Sequence, residues 1–261
     1  MLIYFVRHGQ TEDNVQGIIQ GHKDTPLNDH GRKESERLAK RLKDLDIHEA
    51  WSSPLARAKE TAEIILDHHP NIKLKLHDGI KERYLGSMEG RRRKRGEHAP
   101  DDAESSHDLL LRVTEWFDEF LSGHIPLEPL PDSHHQQQHN HHNHHHHHEL
   151  GKSYHEMLVQ KEEESERIDN ENKSEKKILI VSHGAWLSCL LQFILHKLKF
   201  GISPKVNLNQ PCYNTSIMLI KVEFNHSKQI WNGKLESWGD IKHLDDMRDQ
   251  EIKEVTDDVK G

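Results

Sequence analysis

Two cysteines in 261 residues leave the chain with almost nothing to cross-link. Both Cys189 and Cys212 read as reduced thiols in a cytosol-like compartment, where disulfides are rare. Long apolar runs are missing as well. Nothing approaches the ~20 residues of a membrane span, and the opening "MLIYFVRHG" is too short for a signal peptide. The expected setting is cytoplasmic, with no membrane partner and with the sequons at Asn172 and Asn214 idle. A basic excess is also absent: 36 basic residues face 44 acidic ones, for a formal charge of -8. That balance excludes a general nucleic-acid binder. It leaves small anionic substrates open, because a pocket can be positive in an acidic protein. Apolar residues make up only 33%. The polar middle of the chain dilutes that average, so the two ends can still carry a core.

What is present alternates. Residues 2–6 read as a buried strand, followed by a polar, glycine-containing loop to about Asn28. Residues 31–45 have helical composition, with Leu38, Leu42 and Leu45 recurring on one side. "EAWSSP" reads as a short strand and a cap, with Ser53 as N-cap and Pro54 at the first position of a helix to about His68. Residues 72–76 read as a strand and 109–121 as a helix, with Val113, Trp116, Phe117 and Phe120 on its apolar side. Ten of the fifteen residues from 134 to 148 are histidine, and a charged run follows. Neither stretch can bury enough apolar surface to offset ordering entropy. Residues 124–176 are therefore expected to be an unstructured insertion, with a helix near 154–167. "KKILIVSHGAWLSCLLQFILHKL" then restores the strand-to-helix pattern. Residues 217–222 and 227–231 follow as strands, and a polar tail is expected from about 240 to 261. This order predicts one domain over 1–261, in three α/β/α layers, with a mostly parallel sheet flanked by helices.

"IYFVRHG" and "ILIVSHG" are each four apolar or aromatic residues, a polar residue and His-Gly. Ligands gather at the carboxyl ends of parallel strands. If these two strands are neighbours, His8 and His183 face each other there, and Gly9 and Gly184 let backbone approach a ligand. Two surface turns would give the same pattern without chemistry. Arg57 in "SSPLARAKET" falls in the first turn of its helix, where the dipole disfavours a cation unless an anion is bound. Asn14 and Gln20 could cap turns as readily as donate to an oxygen. One chemistry uses all these groups. A neutral imidazole attacks phosphorus while arginines and other donors neutralise the phosphoryl oxygens. His183 would be a further donor, expected as imidazolium. Glu82 in "KERYLG" is the candidate acid for the leaving oxygen.

These stretches resemble the histidine phosphatase superfamily, in its phosphoglycerate-mutase-like branch. "RHGQTEDN" at 7–14, "QGHKDTPLNDHG" at 20–31, "SSPLARAKETA" at 52–62, "ERYLGSMEG" at 82–90 and "VSHG" at 181–184 match its motifs in order. "YNTSI" at 213–217 resembles the segment near its last core strand. The resemblance implies a phosphoglycerate-mutase-like fold and a histidine-dependent phosphatase. His8 resembles the residue phosphorylated on nitrogen; Arg7, Arg57, His183 and Asn14 resemble phosphate ligands; Glu82 resembles the proton donor and later base. Gln20 and Gly21 fall where the family's entrance loop meets its substrate, and Gly184 is expected beside the bound phosphate. No cofactor and no metal are implied. The implied partner is a small phosphorylated metabolite, with inorganic phosphate as product, and either a monomer or a homodimer fits.

Mutases of this family resemble one another in a second aromatic after "ERxY" and in a downstream arginine pair. Here Leu85 follows Tyr84, and the stretch around 109–111 offers no such pair. "RRRKR" at 91–95 comes too early to align with it. It could fold back over the pocket, form a solvated cluster or act as a nuclear-targeting patch. The departures favour hydrolysis of sugar phosphates or phosphoglycerates, as in fungal broad-specificity sugar-phosphate phosphatases. Mutase-type transfer, a phosphoprotein phosphatase and an inactive phospho-ligand-binding module are the alternatives.

Overall fold

The computed structural model describes residues 1–94, 96–126 and 175–247. The histidine tract, the charged run with its expected helix, Asn172 and the end of the tail lie outside the described residues. The elements below belong to one compact unit, built from Met1–Ile125 and the chain from Lys176 onward.

The centre of the sheet is the pair β1 (Leu2–Arg7) and β4 (Lys177–Ser182). They run parallel, with Arg7 opposite Ser182. Their apolar runs are continuous because helices cover both faces. One face carries α2 (Asp29–Leu42) and α3 (Ala56–Leu66) over a core that includes Val6, Leu38, Ile65 and Val181. The other carries α4 (Ser106–Ser122) and α5 (Gly184–His196) over Phe5, Val113, Phe117, Ile180 and Trp186. Trp186 is fully buried, so truncation to alanine would cost ~3–5 kcal/mol. A short helix α1 (Glu12–Gln16) lies in the loop after β1. The strands β2 (Glu49–Ser52), β3 (Leu74–Leu76), β5 (Gly201–Ile202), β6 (Ile217–Asn225) and β7 (Ile230–Asp240) complete a sheet of order β3-β2-β4-β1-β6-β7-β5. This is the expected three-layer α/β/α arrangement, with a mixed sheet. The β3-β2, β2-β4, β4-β1 and β5-β7 pairs are parallel, and β1-β6 and β6-β7 are antiparallel.

Several boundaries differ from those read in the sequence. The helix expected from Pro54 begins at Ala56, with Leu55 at the N-cap position. Ser53 is still part of the sheet edge, its amide donating to the Val181 carbonyl. Its hydroxyl accepts from the Leu55 amide rather than capping the helix. The orphan amide of Ala56 is satisfied across space by the Asp24 carboxylate at 2.6 Å. The first long helix starts earlier than expected because Asn28 caps it, accepting from the Gly31 amide. The strand expected at 72–76 is only three residues long. The strand expected at 227–231 begins at Ile230, since residues 226–229 form the turn of the β6-β7 hairpin, and it runs on to Asp240. Beyond it, Ile241 and Leu244 are buried, so residues 241–244 pack against the domain instead of beginning a loose tail. Among the described residues no helix is long and apolar enough to cross a membrane.

Candidate active site

Parallel pairing of β1 and β4 brings their carboxyl ends level, and each strand delivers a histidine immediately beyond. The His8 and His183 rings lie 5.1 Å apart between centroids, and both residues are buried. The Nδ1 of His8 lies 2.7 Å from the Gly9 carbonyl. A carbonyl can only accept, so Nδ1 carries the proton and Nε2 keeps its lone pair. The His8 carbonyl is itself held by the Asn214 amide at 2.9 Å. Gly9 is fixed from below: its amide donates to the Thr61 hydroxyl, which donates to the Arg57 carbonyl.

Gly9 has a packing role as well. A Cβ there would stand 2.6 Å from the Gly31 carbonyl, so its small size lets α2 seat against the β1 loop. A Cβ on Gly184 would meet the Arg7 Nε at 3.4 Å, which places that residue beside the site.

Arg7 and Arg57 flank the two rings. The Nη1 of Arg7 donates to the Cys212 carbonyl at 2.6 Å, leaving its Nε–Nη2 edge as a planar fork. Arg57 occupies the second position of α3 and is 1% exposed. Its Nη1 and Nη2 donate to the carbonyls of Lys23 and Gly21, so it straps the entrance loop while its Nε remains. Burial lowers its pKa to about 10, which leaves it charged near neutrality. Five buried side-chain nitrogens among the described residues have no partner in the protein, and four of them are here: Arg7 Nε, Arg57 Nε and both nitrogens of His183. Unpaired buried polar atoms are costly. All four come from three residues, two arginines and a histidine, that the sequence motifs had already singled out as anion ligands, a set that suits an oxyanion.

Burial, then the charges of Arg57 and Arg7, holds the His8 pKa well below its ordinary value. His183 behaves likewise, with burial first and Arg57 next. The expectation of an imidazolium at His183 is therefore corrected for the unliganded protein, in which the ring is neutral. Both rings would charge near pH 6.5 in the unfolded chain, yet they stay neutral to well below that in the folded one. As pH falls through 6.5 the unfolded chain takes up protons that the folded chain refuses, so stability present above that pH is lost on acidification. Without phosphate in the buffer, the urea midpoint should be lower at about pH 5.5 than at about pH 7.5. The drop should shrink in a His8→Asn/His183→Asn double variant. An equal drop in both proteins would show that these rings do not carry the dependence.

The Glu82 carboxyl sits over the start of α5. It accepts from the amides of Ala185 and Trp186 at 3.2 Å each and from that of Arg83 at 2.9 Å. It thus lies two to three residues beyond His183 on the same helix entry. Asn14 turns out to be half of a capping box: its Oδ1 accepts from the amide and hydroxyl of Thr11, leaving only its Nδ2 as a donor. Gln20 is buried, and its Oε1 shares the same hydroxyl proton with Asn14 Oδ1, each 3.0 Å away. Gly21 has φ +50, a conformation that favours glycine, beside Glu89. Glu89 accepts from the amides of His22 and Leu85 and so joins the entrance loop to the acid loop. In the basic run, Arg91 forms a two-pronged pair with Glu97, and Arg93 donates to the Glu97 carbonyl. Arg95 lies outside the described residues. Among the described residues no group of three or more His, Cys, Asp or Glu is placed to hold a metal ion.

Sequence reasoning did not single out Thr61, Asp24, Glu89 or Asn214. Asn214 was visible only as an idle sequon and within "YNTSI"; its role depends on the antiparallel β6 returning beside β1.

Comparison with known proteins identifies the family and the fold. The family model described as "Histidine phosphatase superfamily (branch 1)" matches residues 3–127 and 126–232. The Broad-specificity phosphatase YOR283W of Saccharomyces cerevisiae is 34% identical over 130 residues, covering 45% of this chain and 56% of that protein. The chain spans less than two thirds of the first fungal relatives it matches, 63% and 56% of their lengths. The Phosphoglycerate mutase-like protein 4 of Arabidopsis thaliana is 27% identical over 245 residues, covering 94% of this chain and 87% of that one. Among solved structures, "Mycobacterial hydrolase 1" superposes with a TM-score of 0.63 at 17% identity, covering 92% of this chain and 98% of its own.

Proposed function

This chain belongs to the histidine phosphatase superfamily, and on that premise we propose that it is a phosphomonoesterase acting on small phosphorylated metabolites through a phosphohistidine on His8. The observation that carries the reading is the set of unpartnered buried nitrogens on Arg7, Arg57 and His183 around a neutral His8 with Nε2 free. The Nε2 lone pair attacks phosphorus, and the bond to the ester oxygen breaks. Glu82 hands its proton to the departing alkoxide. The Nε–Nη2 fork of Arg7, the Nε of Arg57 and the one N–H of neutral His183 hold the phosphoryl oxygens. Asn14 adds its Nδ2, and Gln20, Gly21 and Gly184 shape the entrance. A water then attacks the phosphohistidine, Glu82 takes its proton, and inorganic phosphate and neutral His8 are released.

Hydrolysis is favoured over phosphoryl transfer to a second substrate. A mutase must hold its monophosphate intermediate away from water and grip a second anionic group. The position after Tyr84 is Leu85, and two arginines that could supply a second grip are committed. Arg91 is paired with Glu97, and Arg112 is paired with Glu104. The likeness to a mutase-like protein over 94% of the chain keeps transfer as the second reading. A panel of sugar phosphates and phosphoglycerates, assayed for phosphate release, decides between them. Release from several sugar phosphates should far exceed interconversion of 3- and 2-phosphoglycerate, even after priming with 2,3-bisphosphoglycerate. Mutase turnover far above phosphate release would overturn the assignment and leave the phosphohistidine chemistry standing.

A further inference from the structure

Residues 79–82, which lead to the Glu82 carboxyl, belong to no strand or α-helix, yet every one of their carbonyls is held by a side chain. Gly79 O accepts from the Trp186 indole at 2.8 Å and from Arg112 at 3.1 Å. Ile80 O accepts from the Ser182 hydroxyl at 2.8 Å. Lys81 O accepts from Arg112 at 2.9 Å. Glu82 O accepts from Arg112 at 3.1 Å and lies 2.7 Å from the His22 ring. One guanidinium therefore takes three of the four. Its other edge forms a bidentate pair with Glu104, Nε to Oε1 and Nη2 to Oε2, each 2.8 Å. Glu104 in turn accepts from the Tyr84 amide and, through its carbonyl, from the Arg83 Nε.

Neither partner is a loose surface charge: their side chains are 23% and 14% exposed. Burial alone would raise the Glu104 pKa, but the Arg112 guanidinium holds it below its ordinary value. A planar five-donor fork suits this task, since it can meet a carboxylate on one edge and carbonyls on the other. A lysine ammonium could not span the same acceptors.

We propose that Arg112, oriented by Glu104, is a positioning residue that sets where the Glu82 carboxyl stands relative to the leaving oxygen. This rests on Glu82 being the proton donor. Among the described residues the Glu82 carboxylate accepts hydrogen bonds from the backbone amides of Arg83, Ala185 and Trp186, so its reach follows from where its own backbone is fixed. Misplacing a catalytic group by ~1 Å can cost ~10²-fold. That loss should fall on substrates whose leaving oxygen needs a proton.

The test compares Glu82→Gln, Arg112→Gln, Arg112→Lys and Glu104→Gln on an alkyl phosphate, glycerol phosphate, and on an aryl phosphate, p-nitrophenyl phosphate. Glu82→Gln is the reference for loss of the acid. Arg112→Gln is expected to lower kcat/KM, which reports the steps up to release of the leaving group, on the alkyl ester ~10²-fold and to leave kcat/KM on the aryl ester, and inhibition by orthophosphate, little changed. Arg112→Lys and Glu104→Gln should show the same selectivity in weaker form, and they carry the test if Arg112→Gln does not fold. A merely structural arginine would lower both substrates alike, or lower only the melting temperature; either result overturns the proposal while a selective Glu82→Gln leaves the proton-donor reading intact. If Glu82→Gln itself lowers kcat/KM on both esters equally, the proton-donor reading fails, and this proposal fails with it.

Discussion

Replacing His8 with alanine should reduce phosphate release by ~10⁴-fold or more, because no other group can take over as nucleophile. The comparable ring beside it, His183, is buried with both nitrogens unpartnered, but it stands at the start of α5, beyond the neighbouring strand β4. A rapid quench with labelled substrate should trap an acid-labile, base-stable phosphoryl group on the wild-type protein and none on His8→Ala. The variant should fold, since His8 makes a single ring hydrogen bond, to its neighbour's carbonyl. It should still bind orthophosphate, because Arg7, Arg57 and His183 remain. An acid-stable phosphoester on serine or threonine, or turnover within tenfold of wild type, would contradict the mechanism.

The core of the site was legible because it is written in local patterns. Two apolar strands ending in His-Gly can be read without knowing the fold. The parallel pairing that makes them neighbours follows from the alternation of strands and helices. Arg57 was legible as a cation out of place at a helix start. Its strapping of the Gly21 and Lys23 carbonyls was not, because those contacts span more than thirty residues. The same limit applies to Asp24, which caps a helix from a distant loop, and misled the reading of Ser53 as the cap. The sequence from 81 to 106 carries no sustained hydrophobic period; among its described residues, the carboxylates of Glu89, Glu97, Asp102 and Glu104 instead bond the backbone amides of Leu85, Lys94, Ser87 and Tyr84. Such order leaves no hydrophobic repeat to detect. The state of His183 was misjudged for a related reason. Its charge was inferred from a phosphate-bound site, whereas burial and two nearby arginines decide it in the free protein.

Arg57 should be the residue whose replacement separates charge from geometry most clearly. It is the largest charge acting on both His8 and His183, second only to burial in holding their pKa values down. It also ties down the entrance loop through two carbonyls. Arg57→Lys keeps a cation on the helix start but cannot reach two carbonyls and a phosphoryl oxygen together. It should lower kcat/KM ~10²–10³-fold while leaving the acid limb of the pH profile close to its wild-type position. Arg57→Met removes the charge as well. The His8 pKa should then rise, so the acid limb, which reflects protonation of the nucleophile, should move to higher pH in Arg57→Met but not in Arg57→Lys. The methionine variant should also lose stability, because the Gly21 and Lys23 carbonyls lose their donor, at about 1–3 kcal/mol for each buried group left unpaired. The measurements are kcat/KM across pH for the three proteins and their urea midpoints. Coincident acid limbs in all three would show that Arg57 does not set the protonation of His8, and near-wild-type kcat/KM in Arg57→Lys would show that its two-carbonyl geometry does not matter for phosphate binding.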